Sequence, residues 1–319
     1  MRHFAILVVC VLATLGLVGE AGPPPSPRQQ PTSKPKSQPQ PQPQTPSATT
    51  LNEDQIHALA ERVIAAQHSD DLALDEFERI EHHVVYSGPS RRVTEDREFR
   101  VVPTGTGTLK LLLKENNTAV DPAVYRRQLH DWEQVLEIAV NPDDPRQQAV
   151  YTKWQRHQKE RKDMVDASRR AFRVSSSGME NYRGHLCDVL QLEPNPSFTP
   201  HTIFENVFTG TRAKVWIDDA TGQIIHGEAD IIRDVSFGAG ILGKLYKGGH
   251  FIVDNSEISP GLWLPTRVQF DYSARKFLFA FESHEVTEST RYKRVGKPAQ
   301  ALAAVRDELA RGGPVPADP

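Results

Sequence analysis

The sequence predicts an α+β protein built around one large antiparallel sheet, and three observations predict it. Tyr182–Val295 reads as successive strands: Gly184–Glu193, Lys214–Asp218, Gln223–Asp234, Gly249–Glu257, Leu262–Tyr272, Lys276–Ser283 and Glu288–Val295. β-branched and aromatic residues dominate these runs, and turn chemistry separates them, as in Asp218-Asp219-Ala220-Thr221-Gly222 and Ser259-Pro260-Gly261. Thr266–Tyr272 alternates strictly, with Val268, Phe270 and Tyr272 on one face and Arg267, Gln269 and Asp271 on the other. That is the pattern of a half-buried antiparallel strand. Helical spacing is confined to a leading segment, an insert before these strands and a C-terminal piece.

In chain order, residues 1–21 read as a secretory signal. Arg2 and His3 precede the apolar run Phe4–Val18, and Gly19-Glu20-Ala21 supplies small residues for cleavage. Lipidation at Cys10 is not expected, because valine precedes the cysteine and the apolar run continues past it. Residues 22–50 form a Pro/Gln/Ser-rich linker whose composition cannot bury a core, so disorder with polyproline II bias is expected. A tether or spacer is the functional reading of such a segment.

Leu51–Gln67 is the first helix. Asn52 and Gln55 open it as a capping box, and Ile56, Leu59, Ala60, Val63 and Ile64 form its apolar stripe. Strands follow at Glu78–Ser87, Arg97–Pro103 and Thr108–Lys114. Asp121-Pro122 and Asp144-Pro145 each pair a capping aspartate with proline in the first turn, opening two inserted helices over residues 122–170. The second of these carries Lys153, Arg156, Lys159, Arg161, Lys162, Arg169 and Arg170 against Glu160, Asp163 and Asp166. Such a helix is a solvated face or a basic surface (151–170) for an envelope protein or acidic headgroups. The last helix is Pro298–Ala310, with Leu302, Val305 and Leu309 at helical spacing, and residues 297–319 read as a short helix and disordered tail.

The net charge of −3 over 319 residues gives no nucleic-acid-binding signal. With Cys10 lost in the signal, Cys187 is the single mature cysteine and is expected as a buried small hydrophobe. No segment after the signal reaches eighteen uninterrupted apolar residues, so no membrane span is expected in the mature chain. Catalytic constellations are not evident. His82 and His83 point to opposite faces of a strand, Gly-x-Ser-x-Gly is missing, and Asp218-Asp219 is explained by turn formation. No metal and no cofactor are expected.

The series Tyr182-Arg183-Gly184, Leu190-Gln191-Leu192-Glu193-Pro194-Asn195-Pro196, Ala213-Lys214-Val215-Trp216-Ile217-Asp218, Phe237-Gly238-Ala239-Gly240 and Gly261-Leu262-Trp263-Leu264-Pro265, followed by Phe270-Asp271-Tyr272-Ser273-Ala274-Arg275, resembles secreted acidobacterial proteins. These in turn are similar to the outer-membrane lipoprotein carriers, the LolA/LolB-like superfamily. The resemblance covers most of Leu51–Val295. It implies a half-barrel domain over residues 51–296: an unclosed β-barrel of about eleven strands with helices on its concave side. It also implies a lipid chain as ligand and a periplasmic address. Lys276–Phe281 fits such a cavity, being apolar on both faces through Phe277, Phe279 and Phe281 and through Leu278 and Ala280. Expected ligand-binding residues are Phe251, Val253, Val268, Phe270, Phe277, Phe279 and Phe281, with Phe237, Ile241 and Leu242 as an apolar flap. Two function classes stand beside this non-catalytic binding protein. One is a structural or sensory module whose core is filled by Ile56, Leu59 and Val63. The other is a hydrolase, for which no motif speaks.

Overall fold

The computed structural model describes residues 50–88, 90–238 and 243–312. The signal segment 1–21, all but the end of the linker 22–50, flap residues Ile241 and Leu242, and the tail after 312 lie outside the described residues. Among the described residues no helix is long and apolar enough to cross a membrane.

The elements are α1 (Glu53–Leu74), β1 (Phe77–Ser87), β2 (Arg92–Pro103), β3 (Thr108–Glu115), β4 (Thr118–Ala119), α2 (Pro122–Ala139), α3 (Pro145–Ala171), β5 (Phe172–Tyr182), β6 (His185–Pro194), α4 (Asn206–Thr209), β7 (Thr211–Asp218), β8 (Ile224–Ile231), β9 (Val235–Phe237), β10 (Gly243–Leu245), β11 (His250–Ser259), β12 (Leu262–Lys276), β13 (Phe279–Arg294) and α5 (Pro298–Ala310). All the strands join one curved, unclosed sheet. Its main path runs β4-β3-β2-β1-β13-β12-β11-β8-β7-β6-β5, and β9 and β10 join it through β12. Each pairing is antiparallel. The sheet has thirteen strands where about eleven were expected, eleven on the main path and the three-residue strands β9 and β10 beside it.

Local signals hold where they were read. Asn52 and Gln55 form the reciprocal capping box at 2.9 Å each. Asp121 accepts from the Ala123 amide at 2.7 Å and Asp144 from the Arg146 amide at 2.8 Å. Pro260-Gly261 makes the turn between Ser259 and Leu262, with Gly261 at φ +78°, a value that only glycine adopts without strain.

Cross-strand partners share a face of the sheet, and the register therefore sorts the helices. Val253, Val268, Thr287 and His83 are aligned across β11, β12, β13 and β1. On that face Leu59, Ala60 and Val63 of α1 pack with Val215, Ile217, Phe251 and Val253, and Ala167 and Ala171 of α3 join them. The opposite face carries Ile80 and Val102. There Tyr125, Leu129, Trp132 and Leu136 of α2 pack with Leu111, Leu113 and with Ala301, Leu302 and Val305 of α5. Of the helices expected on one concave side, α1 and the end of α3 share a face, and α2 covers the other together with α5. Helical periodicity shows that a stripe is buried but not which side of a sheet buries it. α5 is likewise part of the packed unit.

Two expected strands, Lys276–Ser283 and Glu288–Val295, are one strand, β13, and the doubly apolar run is the tip of a hairpin. Lys276 pairs with Phe279, so Phe277 and Leu278 form a two-residue turn. β1 pairs with β13 no further than His284. Phe279 to Ser283 thus project past β1, supported by β12, which β10 flanks through Gly243, Lys244 and Leu245. The apolar side chains on both faces of this run are not covered twice. They are exposed: Phe277 53%, Leu278 87%, Phe279 78% and Phe281 45%.

Candidate functional site

The proposed ligand-binding residues fall on the α1 face as a graded series. Phe251 is buried and touches Phe270 edge to face at 5.7 Å and Tyr272 in a stack at 6.0 Å. Tyr272 meets Phe281 edge to face at 6.1 Å. Register explains the chain of contacts: Phe251 is opposite Phe270, and Phe281 is opposite Ala274, one step along the face from Tyr272. Val253 is buried, while Val268, Phe270, Tyr272 and Ala274 are partly buried against the same core. An aromatic ribbon therefore leads from the core under α1 to the exposed hairpin tip. Phe237 of β9 packs against this core.

Sequence reasoning named all of the phenylalanines but missed Tyr272, whose alternation with Phe270 was the available signal. It joined Phe277, Phe279 and Phe281 to the buried set because a run of apolar residues does not announce where its hairpin turns. Ile56, Leu59 and Val63 serve the core centred on Phe251 and Val253, while Phe277, Phe279 and Phe281 are exposed at the hairpin tip.

Beyond the ribbon the α1 face becomes polar. His83 lies 3.5 Å from Glu95 and 3.6 Å from Glu285, and Lys110 and Arg79 pair with Glu81 at 2.7 and 2.6 Å. His82 faces the other way, to Asp96 at 2.8 Å, as expected of neighbours in a strand. Burial works against the Glu81 charge, yet Arg79 and Lys110 outweigh it and lower the pKa.

A second polar cluster sits on the opposite face. Buried His226 donates from Nδ1 to Asp254 at 2.7 Å and lies 3.0 Å from Glu228 through Nε2. Its ring stacks on Tyr182 at 4.6 Å and contacts Trp216 at 4.7 Å. Tyr182 and Arg183 also donate to Asp254, each at 3.2 Å. Burial opposes the His226 charge, but the two carboxylates prevail and raise its pKa. The cluster saturates its own hydrogen bonds and presents no nucleophile to its histidine, so the geometry is that of a structural network. Cys187, also buried on this face, has its thiol pushed up to about 12 by burial and by Asp218, which makes it inert. Among the described residues no group of three or more His, Cys, Asp or Glu side chains is arranged to hold a metal ion.

The fold is similar to several solved structures. An outer membrane lipoprotein-sorting protein domain from Vibrio parahaemolyticus overlaps 77% of this chain and 99% of its own at 8% identity and a TM-score of 0.31. A LolA-superfamily protein from Nitrosomonas europaea overlaps 74% and 96% at 11% identity and a TM-score of 0.23. A DUF1329 family protein from Desulfovibrio piger overlaps 74% and 92% at 11% identity and a TM-score of 0.24. No family model matches the sequence, and no curated protein is similar to it.

Proposed function

We propose that the protein is a non-catalytic, periplasmic binding protein that holds an apolar ligand, such as a lipid or lipoprotein acyl chain, on the α1 face of its sheet. The observation that carries this reading is the aromatic ribbon. Buried Phe251 touches both Phe270 and Tyr272, Tyr272 touches Phe281, and exposed Phe279 follows on the same face. An acyl chain laid along its open end would bury about 0.8 kcal/mol per CH₂, enough for affinity without any polar readout. The side chains of α1 already fill the inner part of the face, so the seat is the outer stretch from Tyr272 to Phe279.

The test is protein exported by its own signal and purified without detergent, then extracted with organic solvent for mass spectrometry. A fluorescent fatty acid serves as competitor. We expect a co-purified lipid or saturable probe uptake, reduced about tenfold in Phe281→Ser, whose side chain is half exposed and whose loss spares the core. An empty extract together with no probe uptake sinks the proposal.

A second reading, an envelope interaction module, is favoured by α3. Across 27 residues this helix buries just Ala167, Ser168 and Ala171, and Tyr151 stacks on Trp154 at 5.4 Å on its exposed part. Its basic surface (151–170) would then meet an acidic partner.

A further inference from the structure

We propose that the β12–β13 hairpin tip anchors the protein to an anionic lipid bilayer. Phe277, Leu278 and Phe279 enter the interfacial region, with Phe281 at its edge, and the basic residues around the tip meet headgroup phosphates. This goes beyond the acyl-ligand reading and does not rest on it.

Three observations carry it. The tip is narrow and projects. Two turn residues and the ends of two strands hold four large apolar side chains in the open, while Lys276 and Phe279 close the ladder behind them. Backbone groups are thereby mostly paired before the tip enters an apolar medium, which lipid demands of any inserted backbone. Second, the exposed apolar surface is on the order of 500 Å², taking roughly 200 Å² per side chain. That falls short of the ~800 Å² per partner that a stable protein interface uses, whereas interfacial insertion has no such minimum.

Third, the charge around the tip complements an anionic surface. Lys276 is exposed at the tip beside Arg275 of β12, and Lys247 is exposed further back, in the β10–β11 turn past the level of Ser273. Arg91 and Arg92 are exposed in the β1–β2 turn, set back from the tip at the level of Asp271, which Arg91 reaches at 3.3 Å. The acids nearby are engaged: Asp234 with Lys244 at 2.7 Å, and Asp271 with Arg91 and with His284 at 3.0 Å. Glu282 sits behind the tip, 4.0 Å from His284. An apolar insertion with Lys276 and Arg275 at its base, and exposed cations on the surface behind it, supplies the two signals that reversible membrane attachment requires.

The turn itself adds to the argument. Phe277 has φ +53°, a value that hairpin turns normally give to glycine or asparagine. Asn116-Asn117, between Glu115 and Thr118, obeys that rule, whereas Arg183-Gly184, between Tyr182 and His185, places arginine at φ +51° in the first position and glycine in the second. Among the described two-residue turns, a large aromatic side chain occupies the position at the projecting tip alone.

The experiment is co-sedimentation of the detergent-free protein with phosphatidylglycerol/phosphatidylethanolamine vesicles and with phosphatidylcholine vesicles. Light scattering is recorded alongside. The variants are Leu278→Asp with Phe279→Asp, Lys247→Glu with Lys276→Glu, and Leu72→Asp as a control at an exposed leucine of α1. The unchanged protein should sediment with the anionic vesicles and far less with phosphatidylcholine. The tip variant should bind at least tenfold more weakly with unchanged circular dichroism, and the charge variant should lose its salt dependence. The control should bind normally. Absent vesicle binding overturns the proposal, as does binding that the tip variant leaves intact. So does a dimer in solution that the tip variant dissolves, since the tip would then seat a second copy. Vesicle binding by a protein whose extract is empty and that takes up no fatty acid would sink the acyl-ligand reading alone.

Discussion

Asp70 shows how one side chain's chemistry is set by residues far away in sequence. It sits in α1, buried, where its carboxylate accepts from the Trp263 amide at 3.4 Å. Burial is the main cause of its pKa rising to about 6, and Asp71 adds to the rise. The folded protein therefore keeps a proton that the unfolded chain has released, and stability falls as pH climbs from about 4 through about 6. Asparagine keeps the acceptor and carries no charge. Asp70→Asn should accordingly gain on the order of 1–3 kcal/mol relative to the unchanged protein between pH 4 and pH 8. Urea melts at the two pH values read this directly, and equal differences at both would contradict it. None of this was legible in the sequence, where Asp70 is one of two adjacent aspartates at the end of a helical stretch. By contrast, the inert, buried character of Cys187 followed from its place between Leu186 and Asp188 in an apolar strand run.

The β12–β13 hairpin concentrates what is unusual about this sheet. Phe277 takes a left-handed backbone conformation that costs a non-glycine residue roughly 1–2 kcal/mol. Its side chain is half exposed and contributes little packing. Phe277→Gly should therefore stabilise the isolated protein by about 1 kcal/mol, raising the thermal midpoint by a few degrees. If the tip anchors the molecule to lipid, the same variant binds vesicles more weakly. A fall in midpoint would show that the aromatic ring is a packing element. The capped helix starts and the Pro-Gly turn were readable because the interacting groups lie within four residues of one another. The hairpin's turning point was not. Strand periodicity runs unbroken through Phe277, Phe279 and Phe281, and only the pairing of Lys276 with Phe279 reveals the reversal.

At the scale of the molecule, one sheet carries two cores on opposite faces, and α5 closes the second. Ala301, Leu302 and Val305 pack against α2, and Glu308 accepts from Arg100 at 2.8 Å while Tyr125 joins the same group. Ending the chain before Pro298 should expose Tyr125, Leu129 and Trp132 and leave Arg100 short of one partner. We expect that truncation to lose several kcal/mol and to bind the apolar dye ANS, whereas cutting after Gly312 should leave the midpoint unchanged. A truncated protein as stable as the parent would show that α5 is an appendage. The sequence by itself determined the longer helices, most of the long strands, the helix caps and several turns, because those follow from contacts a few residues apart. It also determined that the sheet has one strongly apolar face at β11 and β12. Only the tertiary structure decided which face each helix covers and that the most apolar run ends in the open. Both depend on register between strands far apart in the chain, and a one-residue change of register would turn every side chain to the other side.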